Sequence, residues 1–429
     1  MLKKRIELAV VGGGPKSAAL AAKAYALRKA RVADIHVSVF EKKEIGANWN
    51  GDSGYTDGVQ RLCTPAERDL GYPYVSGFET SRSNEVNQIV YENFSWPSFL
   101  LTESQRFSRW VDGGRKPPKH AEFAEYLVWA LKRSEATVKT TEVRQLAVKD
   151  SKWQVFGGSP GGMLRLASRT LFDGVVVSGP GPARRPNISG MSNRIFDGVD
   201  FWTRRAELAQ ILKREKIPSE IAIIGAGGTA AAILAWLIRN GFHAHPISLI
   251  ASQAALYTRG DSVFENRLFS DDGLWDGLSP SSQDTFFKRL NRGVVWSTVM
   301  EQVATAEELS FVDGRVDSIS VLRKDQLELE VRQDNAPFMR PRFNIVIDAS
   351  GFDEWWFLDL LRGLSDAARN SSKLKEVLRA TMEPGLKFNQ AAWAYPSLHV
   401  PALSSKIGPG FGSLMALGGM SDRILGSYL

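Results

Sequence analysis

The stretch from Ile6 to Ser17, IELAVVGGGPKS, constrains the chain more than any other. An apolar run rich in β-formers passes into Gly12, Gly13 and Gly14, and after Pro15 the small Ser17 opens an alanine-rich stretch to Arg28. The pattern predicts strand, tight turn and helix. Gly12 lets the chain turn, Gly14 lets backbone approach a pyrophosphate, and Ser17 lets the helix pack on the strand, leaving the helix N-terminus aimed at the phosphates. The second strand, IHVSVFE, ends on Glu41, followed by Lys42. An acid about 27 residues beyond the glycines is placed to accept the ribose hydroxyls of an adenosine. A bound dinucleotide is therefore expected, against the plainer reading of an ordinary glycine-rich turn.

With 429 residues, 43% of them hydrophobic, the chain can bury a sizeable core and is expected to form two or three domains. Its net charge of +7 suits a protein that holds several phosphates, but a mildly basic solvated surface is the preferred reading; no run of five Lys or Arg marks a nucleic-acid face. The N-terminal LKKRIELAVV is broken by Glu7 and ended by glycine too soon for a signal peptide. No segment approaches the ~18 apolar residues of a membrane helix, so no membrane span is expected and the protein reads as cytoplasmic. Cys63 is the only cysteine, which excludes an internal disulfide, a C-x-x-C redox pair and a thiolate zinc cluster. His243 and His245 alone do not make a metal site, and none is expected.

After Glu41 the segment KKEIGANWNGDSGYTDGVQRLCTPAERDLGYPY reads as a long functional loop leaving the carboxyl end of a cofactor-binding strand. Trp49 within it fits either a cover over a flavin or a core anchor. Residues 86–112 and 119–134 show helical spacing, and short strands from Val138 lead to LFDGVVVSGPGPARRP, which returns to the cofactor. A second unit then begins. SEIAIIGAGGTAAAILAWLIRNG repeats the opening pattern with Gly225, Gly227, Thr229 and the small Ala230, and PISLIAS ends in Ser252 and Gln253 with Arg259 nearby and no acid at its tip. Polar and cationic groups in place of the acid are what a 2′-phosphate requires, so this unit is expected to bind NADPH. Two such units imply electron transfer from NADPH to a tightly held FAD. The fold class is thus α/β with two Rossmann-like domains. NIVIDASGFD, with Ser350 and Gly351, and the glycine-rich tail, with Ser421 and Asp422, are expected to return to the FAD domain as further cofactor contacts. The NADPH domain, 196–342, would then be inserted between FAD-binding parts at 1–195 and 343–429.

The blocks VVGGGPKSAALAAKA, GANWNGDSGYTDG, RDLGYPY, FSWPSFL, AEFAEYLVWAL, VSGPG, IIGAGGTAA, LYTRGDSVFENRLFSD, NRGV, IDASGF and GMSDRILG stand in this order along nearly the whole chain. In this the chain resembles the N-hydroxylating flavoprotein monooxygenases that act on L-lysine or L-ornithine, most of all the lysine enzymes of the mycobactin and nocobactin pathways. FENRLFSD and IDASGF are the specific blocks, since a general flavin reductase needs neither. The resemblance implies that Arg68 holds the substrate carboxylate, that Asn266 contacts substrate, that Asn291 lies near the amine and the nicotinamide ribose, and that Arg259 contacts NADPH. Each also has a plainer reading: a surface ion pair for Arg68 with Asp69, turn or helix caps for the asparagines, a solvated loop residue for Arg259. Two positions depart from the family. Cys63, aligned without a gap, stands where many relatives have a glutamine beside the flavin, and Gly426 replaces a serine that touches substrate. The implied reaction uses O2 through a flavin C4a-hydroperoxide to hydroxylate the side-chain amine, for siderophores or other hydroxamates, and relatives are often homo-oligomers, dimers or tetramers. Ornithine, a diamine or an acylated lysine remain alternative substrates, and a flavin-dependent NADPH reductase is the alternative of another class. Baeyer-Villiger and sulfur-oxidising relatives carry F-x-G-x-x-x-H, and here Phe196 and Gly198 are followed by Trp202.

Overall fold

The first strand, β1 (Ile6–Val11), has Leu8 and Val10 in one apolar cluster and Ala9 and Val11 in another. A strand apolar on both faces belongs in the middle of a parallel sheet covered on both sides. The computed structural model places it there; it describes residues 4–429 except 53, 79, 80, 160, 185, 254, 259–261, 292, 293, 296, 307 and 335, and gives backbone alone for 290, 291, 294 and 298. After β1 come α1 (Pro15–Lys29), β2 (Ile35–Glu41), α2 (Ser83–Phe94), α3 (His120–Arg133), β3 (Thr137–Thr140) and β4 (Gly174–Val177). The middle of the chain holds β5 (Ile195–Asp197), α4 (Asp200–Arg214), β6 (Ile221–Ile224), α5 (Gly228–Arg239), β7 (Ile247–Ala251), α6 (Val263–Leu268) and α7 (Pro280–Asn291). The remainder holds β8 (Leu309–Asp313), β9 (Arg315–Arg323), β10 (Gln326–Arg332), β11 (Ile345–Asp348), β12 (Ser397–His399) and α8 (Leu417–Gly426).

Two five-stranded sheets result, ordered β3-β2-β1-β4-β12 and β8-β7-β6-β11-β5, and every pairing in both is parallel. In each, a strand followed by a glycine turn and a helix sits at the centre, which is the doubly wound arrangement that carries nucleotides at the carboxyl ends of its strands. One face of the first sheet is covered by α1, α2, α3 and α8, the other by residues around Trp153 and Phe357. In the second sheet Ile221 and Ile223 of β6 pack with α4 and α5, while Ala222 and Ile224 pack with the β9–β10 hairpin.

One expectation is corrected. The strand of NIVIDASGFD does not return to the first sheet: β11 pairs with β6 in the register Ile221↔Ile345 and takes β5 on its other side. The second unit, expected over 196–342, therefore draws a central strand from beyond that limit. The return follows later, where Phe352 meets Tyr55 edge to face at 4.9 Å and β12 pairs with β4. Among the described residues no helix is long and apolar enough to cross a membrane, and no group of three or more His, Cys, Asp or Glu is placed to hold a metal ion.

Candidate active site

The first cleft, about 490 Å³, opens at the carboxyl end of β1 and is walled by Gly12 to Lys16, Glu41, Trp49, Tyr55, Cys63, Ser178 and residues near them. Gly12 has φ +102°, and a Cβ there would stand 2.7 Å from Ser178 Oγ, so the turn admits only glycine. Ser17 is fully buried and donates to the Gly12 carbonyl, which fixes the turn to the helix. Gly14 is the N-cap of α1, with no side chain capping the helix and Pro15 at its start; a Cβ on Gly14 would meet nothing within 4 Å. Unclaimed N–H groups therefore face open space where an anion can come up against backbone. Glu41 Oε2 accepts from Gly13 N at 2.6 Å and Oε1 from Lys43 N at 2.9 Å, and the carboxylate keeps lone pairs for ribose hydroxyls. These features fit the ADP half of FAD. Lys42 is exposed beyond the cleft wall. Trp49 is packed edge to face against His120 at 5.0 Å and Phe123 at 5.7 Å, so it is both core anchor and cleft wall.

The second cleft, about 880 Å³, repeats this plan at β6. Gly225 has φ +110° and a Cβ there would lie 2.5 Å from the Ala349 carbonyl, while Gly227 caps α5 without a side-chain bond and a Cβ on Gly228 would meet nothing within 4 Å. Ser252 and Gln253 follow β7 in the wall, with Gln253 Nε2 holding the Ala226 carbonyl at 3.1 Å. Ser350 and Gly351 close the opposite side, Ser350 N donating to Asp348 Oδ1 at 2.9 Å and the Gly351 carbonyl accepting from Arg184 N at 2.9 Å. The donor set fits a nucleotide with its pyrophosphate at the start of α5. Arg259 lies outside the described residues. Gly228 and Thr229 line both clefts, so the two nucleotide sites meet at the first turn of α5.

The loop from Trp49 to Tyr74 joins the two units. Gln60 Nε2 donates to the Ala232 carbonyl of α5 at 2.8 Å, Arg205 Nη1 to the Gly51 carbonyl at 3.1 Å, and Arg239 pairs with Asp57. Arg68 donates to the Met415 carbonyl at 3.0 Å and to the Asn266 carbonyl at 3.1 Å, with its guanidinium 4.6 Å from the Tyr72 ring centre. The structure thus brings Arg68 and Asn266 together. Asn291 closes α7, and its side chain lies outside the described residues. It does not bring Ser421 or Asp422 into the first cleft, whose wall in this part of the chain is Ser413 and Leu414. Ser421 Oγ donates to the Leu417 carbonyl at 2.9 Å, and Asp422 pairs with Lys23 of α1 at 2.9 Å. A Cβ on Gly426 would rest 3.7 Å from the Phe78 ring, in ordinary contact.

Asp69 holds the Arg68 loop in shape. Its carboxylate accepts from Gly71 N at 3.1 Å, Tyr74 Oη at 2.7 Å and Trp96 N at 2.8 Å. Burial nevertheless pushes its carboxyl up to about 6, the three donors offsetting only part of the desolvation. A carboxyl raised on folding favours the folded state while protonated, so this contribution is present below about pH 4 and is lost as pH rises through 6. Relative to an Asp69→Asn variant, wild type is expected to lose about 2 kcal/mol of stability between pH 4 and pH 7, read as the pH dependence of the difference in unfolding midpoints. A difference independent of pH would show that Asp69 does not titrate there.

Sequence reasoning missed several wall residues. His120 lines the first cleft with Nδ1 2.8 Å from Thr56 Oγ1, and burial lowers it to about 4, so its ring is neutral near pH 7. Gln60 and Tyr55 stand in the same wall, and Arg184, Arg315 and Asp317 in that of the second cleft. Tyr55 and Gln60 lie in the loop expected to be functional but are not singled out there, and His120, Arg184, Arg315 and Asp317 reach the clefts only through the fold.

Two parallel dinucleotide sheets whose clefts meet at one helix turn define a flavoprotein that works with a nicotinamide nucleotide. Residues 91–305 match the family model described as L-lysine 6-monooxygenase/L-ornithine 5-monooxygenase. The chain is 34% identical over 430 residues to the L-lysine N6-monooxygenase MbtG of Mycobacterium sp. (strain MCS), covering 98% of this chain and 95% of that one. Among solved structures it is similar to the lysine monooxygenase NbtG from Nocardia farcinica, with a TM-score of 0.81 at 29% identity, covering 98% of this chain and 99% of that one. The ornithine N-hydroxylase of Kutzneria sp. 744, at 18% identity and a TM-score of 0.70 over 99% of both chains, shares the fold. The chain belongs to the L-lysine 6-monooxygenase/L-ornithine 5-monooxygenase family.

Proposed function

We propose that the protein is an FAD- and NADPH-dependent monooxygenase that hydroxylates the side-chain amine of L-lysine, consuming lysine, O2, NADPH and a proton and releasing N6-hydroxylysine, NADP⁺ and water. The observation that carries this reading is the meeting of the two nucleotide clefts at Gly228 and Thr229, beside Cys63 and the loop that bears Arg68. Full-length similarity to relatives named lysine N6-monooxygenases supports the choice of amine. When bound, FAD supplies hydride acceptance from NADPH and the activation of dioxygen for transfer of one atom to nitrogen.

The protein's part is binding, orientation and exclusion of water. Gly12, Gly14, Pro15, Ser17, Glu41 and Trp49 would hold FAD, and Gly225, Gly227, Thr229, Ser252, Ser350 and Gly351 would hold NADPH. Arg68 would receive the substrate carboxylate, with Asn266 beside it and Asn291 toward the amine. Lysine's ammonium has no lone pair to offer, and losing its proton at pH 7 costs about 4–5 kcal/mol. The apolar wall of Trp49, Leu62, Val295 and Leu414 meets this need by disfavouring the charged form, the proton leaving to water. Cys63, which aligned without a gap stands where many relatives have a glutamine, lies in the same wall. The second unit acts as an insertion in the FAD-binding part. The hydroxylamine product is the group that acylation converts to a hydroxamate iron ligand. We place the protein in the cytoplasm as a homo-oligomer.

The test is mass spectrometry of products from purified, FAD-loaded protein with NADPH, O2 and a panel of L-lysine, L-ornithine, cadaverine and an N-acyl-lysine, with hydrogen peroxide measured in parallel. Lysine is expected to gain one oxygen atom in step with NADPH consumed. Preferred oxygenation of another amine would correct the substrate, since one methylene is worth only about 1–3 kcal/mol in a pocket. Peroxide alone, whatever amine is added, would make the protein a reductase.

A further inference from the structure

We propose that Arg315 is the cationic contact for the adenosine 2′-phosphate of NADPH, and so a residue that sets the preference for NADPH over NADH; this rests on the NADPH reading above. In a doubly wound sheet the adenosine ribose lies at the tip of the strand next to the central one, here β7, ending at Ala251 and Ser252. Ser252 is neutral, so a phosphomonoester of about −1.5 to −2 charge needs a cation from elsewhere, and Arg259, the candidate from sequence, lies outside the described residues. The neighbouring strand provides it. β8 runs parallel to β7 in the register Ala251↔Asp313, and Gly314 N donates to the Ala251 carbonyl at 3.0 Å. Gly314 sits at φ +148°, and a Cβ there would come 2.5 Å from Val331 Cγ1, so the chain turns tightly off β8 and delivers Arg315 beside the β7 tip. Arg315 and Ser252 both line the second cleft.

Charges of both signs stand around this tip. Asp317 stands in the same wall, but Arg332 takes both its oxygens, Nε to Oδ2 at 3.0 Å and Nη2 to Oδ1 at 3.1 Å. Arg315 Nε is 4.0 Å from Asp317 Oδ1, at the outer limit of an ion pair, and its side chain is 76% exposed. Arg315 is thus left facing solvent with its charge only loosely paired, against the carboxylates of Asp317 and of Asp313, the latter in register with Ala251. The competing arrangement is Asp317 accepting the ribose hydroxyls, which would select NADH.

The experiment is isothermal titration of the FAD-loaded protein with 2′,5′-ADP and with 5′-AMP, in wild type, Arg315→Ala and Arg315→Gln. Wild type is expected to prefer 2′,5′-ADP. Both variants are expected to bind 2′,5′-ADP about 10- to 100-fold more weakly, the size of a lost charge-assisted hydrogen bond, with 5′-AMP affinity moving less than about twofold. The unchanged 5′-AMP site and the flavin absorbance report that each variant is folded. A wild-type preference that survives in both variants would overturn the assignment of Arg315 alone. A wild type that prefers 5′-AMP, or binds both equally, would overturn the NADPH reading itself.

Discussion

A folded protein without its yellow colour is the expected product of Gly14→Val. Gly14 has φ −101°, which any residue adopts, and a Cβ there meets nothing within 4 Å, so the side chain costs the apoprotein little beyond a weaker helix cap, about 1 kcal/mol. The space it fills is the one through which a pyrophosphate would reach the first N–H groups of α1. Losing one charge-assisted backbone bond, about 1.5–3 kcal/mol, weakens FAD binding by about 10-fold or more, and losing two by at least about 100-fold. Flavin absorbance per polypeptide after reconstitution, alongside the apoprotein melting temperature, measures both halves of the claim. Wild-type FAD content in the variant would place the cofactor elsewhere. Gly12→Ala is a useful contrast, since its positive φ and the nearby Ser178 Oγ strain the fold before any cofactor binds.

Lys23→Met is expected to destabilise the first unit by about 3–5 kcal/mol. Lys23 is 1% exposed in the middle of α1, and its ammonium reaches three acceptors, Asp422 Oδ1 at 2.9 Å, Asn87 Oδ1 at 3.2 Å and Ser76 Oγ at 3.3 Å. The ammonium thus donates to oxygens of α2 and of the loop before it and forms an ion pair with α8. Removing the cation leaves Asp422 buried with no opposite charge, and burial already raises its carboxyl to about 6 despite Lys23. An acid raised in the folded state costs stability as pH climbs through that value, so the deficit is expected to be largest near pH 8 and to shrink toward pH 5 as Asp422 takes up a proton. Denaturant unfolding at the two pH values measures it. A loss under about 1 kcal/mol, equal at both, would show that the pair is not part of what fastens α8 to α1.

Both glycine turns were legible because their evidence is local: an apolar strand, glycines at fixed spacing and a small residue opening a helix lie within a dozen positions. The sheet to which Ile345–Asp348 belongs was not legible for the opposite reason. IVID and GVVV are both short strands buried on both faces, and nothing in either says which neighbour it will pair with. Only tertiary register, Ile345 against Ile221, decides it. The same holds within the site. Arg68 could be singled out from its motif, but its contacts to Met415 and Asn266 join segments some two to three hundred and fifty residues apart in the chain. Gln60 against Ala232, and Arg315 beside Ser252, are likewise products of how the layers stack.

The first turn of α5 is a party wall: Gly228 and Thr229 line both clefts at once. A partition shared in this way cannot shift on one side alone. Whatever fills the second cleft therefore touches residues that also bound the first, and a change in the position of Gly228 or Thr229 alters the outline of both.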